Sequence, residues 1–287
     1  MQIFLTGANG FIGGSVAAAL VAEGHAVRGL VRSADRPVPP GVTPVTGALD
    51  DAELLAAEAR AADGVINAAS SDHRGAIEAL IAGLAGSGKP LIHTSGSSIV
   101  GDEAMGEPSD RVFHEATPLA PEPDKMARVA LDRRVLDAPG IRAVVLCNTM
   151  IYGSTEYAQS VQVPALVRQA KASGVARYIG RGLNRWSNVH IDDVAALYVR
   201  ALGQATAGTF AYVESAEETL GDVVRAIGER LGIETHGWAP DEAIAFWGRE
   251  LAVFALGSNS RVRTTERWGW TPKRRSITRW IAQEMPC

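Results

Sequence analysis

Near the start of the chain three glycines fall at positions 7, 10 and 13, between a short apolar run and an amphipathic one: Thr6-Gly7-Ala8-Asn9-Gly10-Phe11-Ile12-Gly13. The run Ile3 to Thr6 reads as a strand, and Ile12, Val16 and Leu20 recur every four residues in the helix that follows. Strand, tight turn and helix form the context in which this spacing carries a mechanism. Gly7 permits the turn, Gly10 lets the backbone approach a pyrophosphate, and Gly13 lets the helix pack close on the strand. The helix N-terminus then offers free N–H groups and a partial positive charge to phosphates. The spacing predicts a dinucleotide-binding unit, with Thr6, Gly7, Asn9, Gly10, Phe11, Ile12 and Gly13 at the cofactor.

Further along, apolar runs alternate with helix-length amphipathic segments: Ala26 to Val31, Asp51 to Arg60, Gly64 to Ala68, Pro90 to Ser95, Arg142 to Leu146. That alternation predicts βαβ units and an α/β fold, a doubly wound parallel sheet of Rossmann type. Beyond about Tyr152 the pattern loosens. Helices are expected over Gln162 to Ser173, Asp192 to Leu202, Leu220 to Leu231, Asp241 to Phe254 and Ile277 to Met285, and a strand over Thr209 to Val213. The expected division is a Rossmann domain over 1–152. The remainder, 153–287, is mainly a small C-terminal substrate lobe, with segments around 175–213 returning to the Rossmann core.

The formal charge of -4, from 28 basic and 32 acidic residues, gives no overall positive field to gather nucleic acid or anionic lipid. Lys273-Arg274-Arg275 is a short solvated patch on this reading. Two cysteines, Cys147 and Cys287, make neither a disulfide framework nor a thiolate metal site, and the six histidines lack metal-binding spacing. Met1-Gln2-Ile3-Phe4-Leu5 leaves no room for a signal peptide, and no stretch approaches the ~20 apolar residues that cross a bilayer. The expectation is a cytoplasmic protein with a small-molecule substrate and no nucleic-acid or membrane partner; a homodimer stays open. Gly83 to Pro90 resembles a P-loop but lacks the magnesium-binding hydroxyl and precedes a strand, so it reads as a glycine-rich helix end.

The glycine turn and Gly-Phe-Ile-Gly resemble the short-chain dehydrogenase/reductase superfamily, in its extended and atypical branches. The resemblance continues through Asn67-Ala68-Ala69, Thr94-Ser95-Gly96, Ile151-Tyr152-Gly153, Trp186 to Asp193 and Trp268-Gly269-Trp270-Thr271-Pro272. The last two are similar to the substrate lobe of epimerase/dehydratase-like proteins. It implies that Asn67, Ala68, Ala69 and Thr94 lie along the cofactor and that Leu49 touches the adenine. It also implies that Asp192 or Asp193 caps a helix. NAD binders of this kind place an acid at the end of the second strand, whereas this chain has Val31 followed by Arg32 and Ser33. A cation and a hydroxyl suit a 2′-phosphate, so NADP(H) is favoured over NAD.

The resemblance also exposes a departure. Reductases of the superfamily use a Ser or Thr, a Tyr and a Lys four residues later; here Gly96, Asp124 and Arg128 stand at those positions. Ser95 and Ser97 flank the first, and Arg128 retains the means to hold the ribose. Another acid must supply a proton, and His73, His114, Tyr152 and Tyr157 are the candidates. Three readings stay open: an NADP(H)-dependent oxidoreductase acting on a small carbonyl or alcohol, a catalytically silent NADP(H)-binding sensor or scaffold, and a sugar-nucleotide epimerase or dehydratase.

Overall fold

Alternate residues of a strand point to opposite faces, and in β1 (Gln2–Thr6) both sets are apolar, Ile3 and Leu5 entering one core and Phe4 the other. Such a strand belongs in the middle of a covered parallel sheet. The computed structural model, which describes residues 1–33 and 35–286, places it there. Strands β2 (Ala26–Val31), β3 (Val42–Thr46), β4 (Gly64–Asn67), β5 (Pro90–Gly96) and β6 (Arg142–Asn148) follow in sequence. After β7 (Met150–Tyr152), β8 (Ala176–Ile179) and β9 (Arg185–His190) comes β10 (Thr209–Val213). Among the described residues, seven strands form one sheet in the order β10-β6-β5-β4-β1-β2-β3, every pairing parallel.

Helices cover both faces. Against one lie α1 (Phe11–Ala22), through Val16 and Leu20, and the later helix Ile191–Gln204, through Val194 and Leu197. Against the other lie α2 (Ala52–Ala61), α3 (Arg74–Leu84) and α4 (Met126–Leu136), which contribute Leu55, Ile77, Leu80 and Val135. Helix α3 ends in a turn with Gly86 and Gly88 at positive φ, as the helix-end reading of the P-loop look-alike requires.

A separate apolar cluster forms the smaller lobe. It joins α5 (Gln162–Ser173), the strands β7, β8 and β9, α7 (Leu220–Leu231) and a C-terminal helix, Ile277–Gln283; α6 is Ile191–Gln204. Strand β9 lies between β7 and β11 (Ala216–Thr219), and β8 pairs with β12 (Thr235–Trp238) rather than with the large sheet.

Two local expectations are corrected. The helix expected over Asp241 to Phe254 breaks into α8 (Pro240–Trp247), a single turn α9 (Arg249–Leu251) and a π-turn (Ala252–Gly257), with Ile277–Gln283 as α10. The break is at Gly248, whose φ of 77° ends the helix. Asp192 and Asp193 do not cap α6 by side chain: His190 Nδ1 accepts the Asp192 amide at 3.2 Å. The Asp193 carboxylate instead accepts the amides of Lys273 and Arg274 at 2.8 and 2.9 Å, pinning the C-terminal segment to the sheet domain. Among the described residues, no helix is long and apolar enough to cross a membrane, and no group of three His, Cys, Asp or Glu comes together as a metal site would require. Cys147 is buried and unpaired; Cys287 lies outside the described residues.

Candidate functional site

The strand order reverses between β1 and β4, the switch point where open α/β sheets bind ligands. There, beyond the strand C-termini, lies a cleft of about 530 Å³. Gly7, Asn9, Gly10, Arg32, Leu49, Ala68 and Ala69 line it, and so do Arg36, Asp50, His73 and Tyr157. The turn is built as the spacing demands. Gly7 has φ +78°, and a Cβ on it would come within 2.9 Å of Ala69 Cα. A Cβ on Gly13 would lie 2.1 Å from Gly7 O, so only glycine lets α1 sit this close to β1. Gly10 caps α1 without a side-chain hydrogen bond, which leaves the first-turn amides of Phe11, Ile12 and Gly13 free to meet an anion.

Thr6 and Asn67 stand behind the cleft wall. The Thr6 hydroxyl accepts the amides of Ala68 and Ala69 at 3.2 and 3.3 Å and donates to Asn67 Oδ1 at 2.6 Å. Asn67 Nδ2 then donates to Ser70 O and, at 3.0 Å, to Nδ1 of the fully buried His93. An accepting Nδ1 puts the ring proton on Nε2, which faces Asp132 Oδ1 at 3.4 Å. Ser95 donates to the other oxygen of Asp132 at 2.7 Å. A buried polar thread thus runs from the glycine turn across β4 and β5 to α4. His93 is the link the sequence reading missed, because one histidine in an apolar strand has no catalytic or metal-binding spacing to single it out.

The other named residues are placed as follows. Ser97 faces the smaller lobe, its hydroxyl 2.7 Å from that of Ser260. Thr94 is directed at α6, where it accepts from Tyr198 at 2.9 Å, so its hydroxyl is turned away from the cleft. Ser33 lies beyond Arg32 and donates to Asp35 at 3.1 Å. Arg128 donates twice to Asp72, at 2.8 and 2.6 Å, and once to Ser98 at 3.0 Å. These hydrogen bonds hold the Asp72 carboxyl below its ordinary range, against a weaker opposing effect of burial. Asp124 pairs with its neighbour Lys125, whose Nζ lies 2.6 Å away, and not with Arg128.

The candidate acids fare differently from expectation. His73 caps α3, Nδ1 accepting the Ala76 amide at 3.0 Å while Nε2 meets Asp50 at 3.1 Å; both ring nitrogens are engaged, on the Leu49 side of the cleft. Tyr152 is fully buried against His190 and Trp280 and donates to Arg274 O at 3.1 Å. Burial raises its pKa well above that of an ordinary phenol. His114 is exposed in a turn closed by its own amide on Thr117. Tyr157 lies over the first turn of α1, where a Cβ on Gly14 would meet its ring at 2.7 Å.

The family model described as NAD dependent epimerase/dehydratase family matches residues 3–212. The chain belongs to that family. A Schizosaccharomyces pombe protein, C2A9.02, is 32% identical over 99% of both chains. An Acremonium protein, oxidase ucsJ, is 33% identical over 94% of this chain and 92% of its own. Among solved structures, the Thermotoga maritima UDP-glucose 4-epimerase with UDP-glucose superposes with a TM-score of 0.76 at 17% identity, covering 98% of this chain and 96% of that one. The Bacillus anthracis dTDP-glucose 4,6-dehydratase with NAD gives 0.74 at 19%, covering 98% and 95%. These likenesses establish the extended short-chain dehydrogenase/reductase fold for this family member.

A second cavity, of about 140 Å³, opens beside α4 and is lined by Ser98, Lys125, Arg128, Gln162, Trp186 and Phe254, among others. The ion pair Asp72–Arg128 ties the loop that follows Ala69 in the first cleft to the wall of the second. Two cations here escaped the sequence reading. Arg36 follows Arg32 after an irregular stretch with no helical or strand periodicity, and Lys125 is masked by its place beside Asp124.

Proposed function

We propose that the chain is an NADP(H)-dependent oxidoreductase of the extended or atypical type, moving hydride to or from a small carbonyl or alcohol. One observation carries the cofactor choice. Arg32 and Arg36 both stand on the cleft wall past β2, and among the described residues neither is paired with a carboxylate. Two unneutralised guanidiniums suit a 2′-phosphate, which the acid of an NAD site would repel. Asp35 accepts from Ser33 and is not on that wall. The free amides of α1 would hold the pyrophosphate, Ser33 would join the two arginines, and Leu49 would meet the adenine. Ala68 and Ala69, backed by Asn67, would line the path to the nicotinamide. Arg128 would take the ribose once it shares Asp72. The bound cofactor would supply the hydride.

The family and the relative named as an oxidase support an enzyme. The occupied Arg128 and the inward-turned Ser95 favour a second reading, a nucleotide-binding sensor. Titrating NADPH and NADH against the wild type and Arg32→Asp tests the cofactor. The wild type should bind NADPH more tightly, and the variant should lose about tenfold or more for NADPH with little change for NADH. Tighter binding of NADH by the wild type would overturn the choice. Oxidation of bound NADPH by members of an aldehyde and ketone panel, followed by stopped flow, separates enzyme from sensor.

A further inference from the structure

Lys125 ends the 3-10 turn Pro123–Lys125 that leads into α4, and it is 6% exposed. Its Nζ lies 2.6 Å from Asp124 Oδ2 and 3.2 Å from Glu250 Oε1, and 5.0 Å above the Phe254 ring. An ammonium has three N–H donors; Glu250 accepts one in a hydrogen bond, and Asp124, as ion-pair partner, draws on a second. The third is available to the cavity that Lys125 shares with Arg128 and Ser98. Ser98 accepts from Arg128 Nη1 at 3.0 Å, which leaves its own hydroxyl hydrogen free. Two donors therefore border one small cavity whose lining also includes the aromatic rings of Trp186 and Phe254. Trp186 spends its indole N–H on Ser258 O at 2.9 Å and so adds no donor of its own.

We propose that Lys125 is the proton donor to the carbonyl oxygen of the substrate, with the Ser98 hydroxyl as the second donor to that oxygen; this rests on the oxidoreductase reading above. Reduced nicotinamide, when bound, supplies a hydride to the carbonyl carbon as the C=O π pair moves onto oxygen. That oxygen takes a proton from Lys125 Nζ: an N–H bond breaks, an O–H bond forms, and the lysine is left a neutral amine. The amine regains its proton from water by way of Asp124 and Glu250, whose side chains are 36% and 80% exposed while the lysine is buried. In the alcohol direction the neutral amine takes the hydroxyl proton. Lys125 and Arg128 lie three residues apart and so share a face of the helix start, which brings a proton donor and a ribose-binding cation together. The charged groups near the lysine are Asp124, Glu250, Arg128 and Asp72, with Arg249 across the Phe254 ring. The substrate class is a small neutral aldehyde or ketone with an apolar or aromatic arm.

The test compares wild type, Lys125→Arg and Lys125→Met, with benzaldehyde and cyclohexanone as probes. Arginine keeps the charge and the carboxylate partners but does not give up a proton. Both variants should bind NADPH with wild-type affinity by fluorescence titration, and both should oxidise bound NADPH at least ~10²-fold more slowly. In ¹⁵N-lysine spectra the Lys125 Nζ signal, identified by its absence from Lys125→Met, should shift when benzyl alcohol is added. Arginine at wild-type speed would show that Lys125 acts only as a structural cation and would overturn the proposal, leaving the oxidoreductase reading intact. An unmoved Nζ signal would do the same. A wild type silent toward both probes and the wider carbonyl panel would overturn that reading and this proposal together.

Discussion

Gly10→Val should abolish dinucleotide binding and leave a folded protein. Gly10 has φ -87° and ψ 173°, an extended conformation that valine adopts without strain. Its Cβ would stand 3.2 Å from Gly7 O, a contact relieved by a shift of a few tenths of an ångström. The two γ-methyls then project into the mouth of the cleft, above the free amides of α1, where the pyrophosphate would lie. Affinity should fall by at least about 100-fold, or ~2.7 kcal/mol. The readout is the melting temperature with and without NADPH. At a ligand concentration near 100 times its Kd the wild type gains about 2.7 kcal/mol, whereas the variant should gain no more than ~0.4 kcal/mol, a shift of about a degree or less. Gly13→Ala is the contrasting case: its methyl would lie 2.1 Å from Gly7 O, so the turn itself cannot form. A folded Gly10→Val protein of undiminished affinity would remove the glycine turn from the site.

The legible part of this protein was the part governed by backbone. Glycine spacing, strand alternation and helix periodicity are local rules, and β1, α1, β2 and the doubly wound parallel sheet follow from them. The lining of the cleft was legible for the same reason, since Gly7, Gly10, Arg32, Leu49 and Ala68 sit at fixed offsets from strand ends. Side chains that depend on a partner far along the chain were not. Whether Tyr152 faces a cleft or a core depends on Trp280 and Arg274, more than 120 residues away. Ser97 is claimed by Ser260, and His73 by its own helix and Asp50. Lys125 acquires its setting only when Glu250 and Phe254 fold back over α4. No local pattern announces those meetings.

Asp132 offers the largest expected effect on stability. It is 3% exposed, accepts from Ser95 at 2.7 Å and faces His93 Nε2 at 3.4 Å; among the described residues neither ring nitrogen of His93 has another side chain to turn to besides Asn67. Asp132→Ala strands the Ser95 hydroxyl away from water and removes the carboxylate that stands 3.4 Å from His93 Nε2, an N–H that has no other partner among the described residues. Leaving the buried Ser95 hydroxyl without its acceptor costs ~1–3 kcal/mol, which for a chain of this size corresponds to a fall in Tm of several degrees. Asp132→Asn keeps the shape and one accepting oxygen, so it should retain the Ser95 bond or the His93 contact and lose about half as much. Urea unfolding of the three proteins distinguishes the cases by midpoint at constant slope. The damage should also reach the cleft. A His93 freed from Asp132 loosens its hold on Asn67, and Asn67 fixes Thr6, whose hydroxyl anchors the Ala68 and Ala69 amides. NADPH affinity of folded Asp132→Ala should therefore fall several-fold although residue 132 lies outside the cleft lining. An alanine variant as stable as the wild type would show that the thread is not under tension from α4, and that the glycine turn is held by β1 and β4 alone.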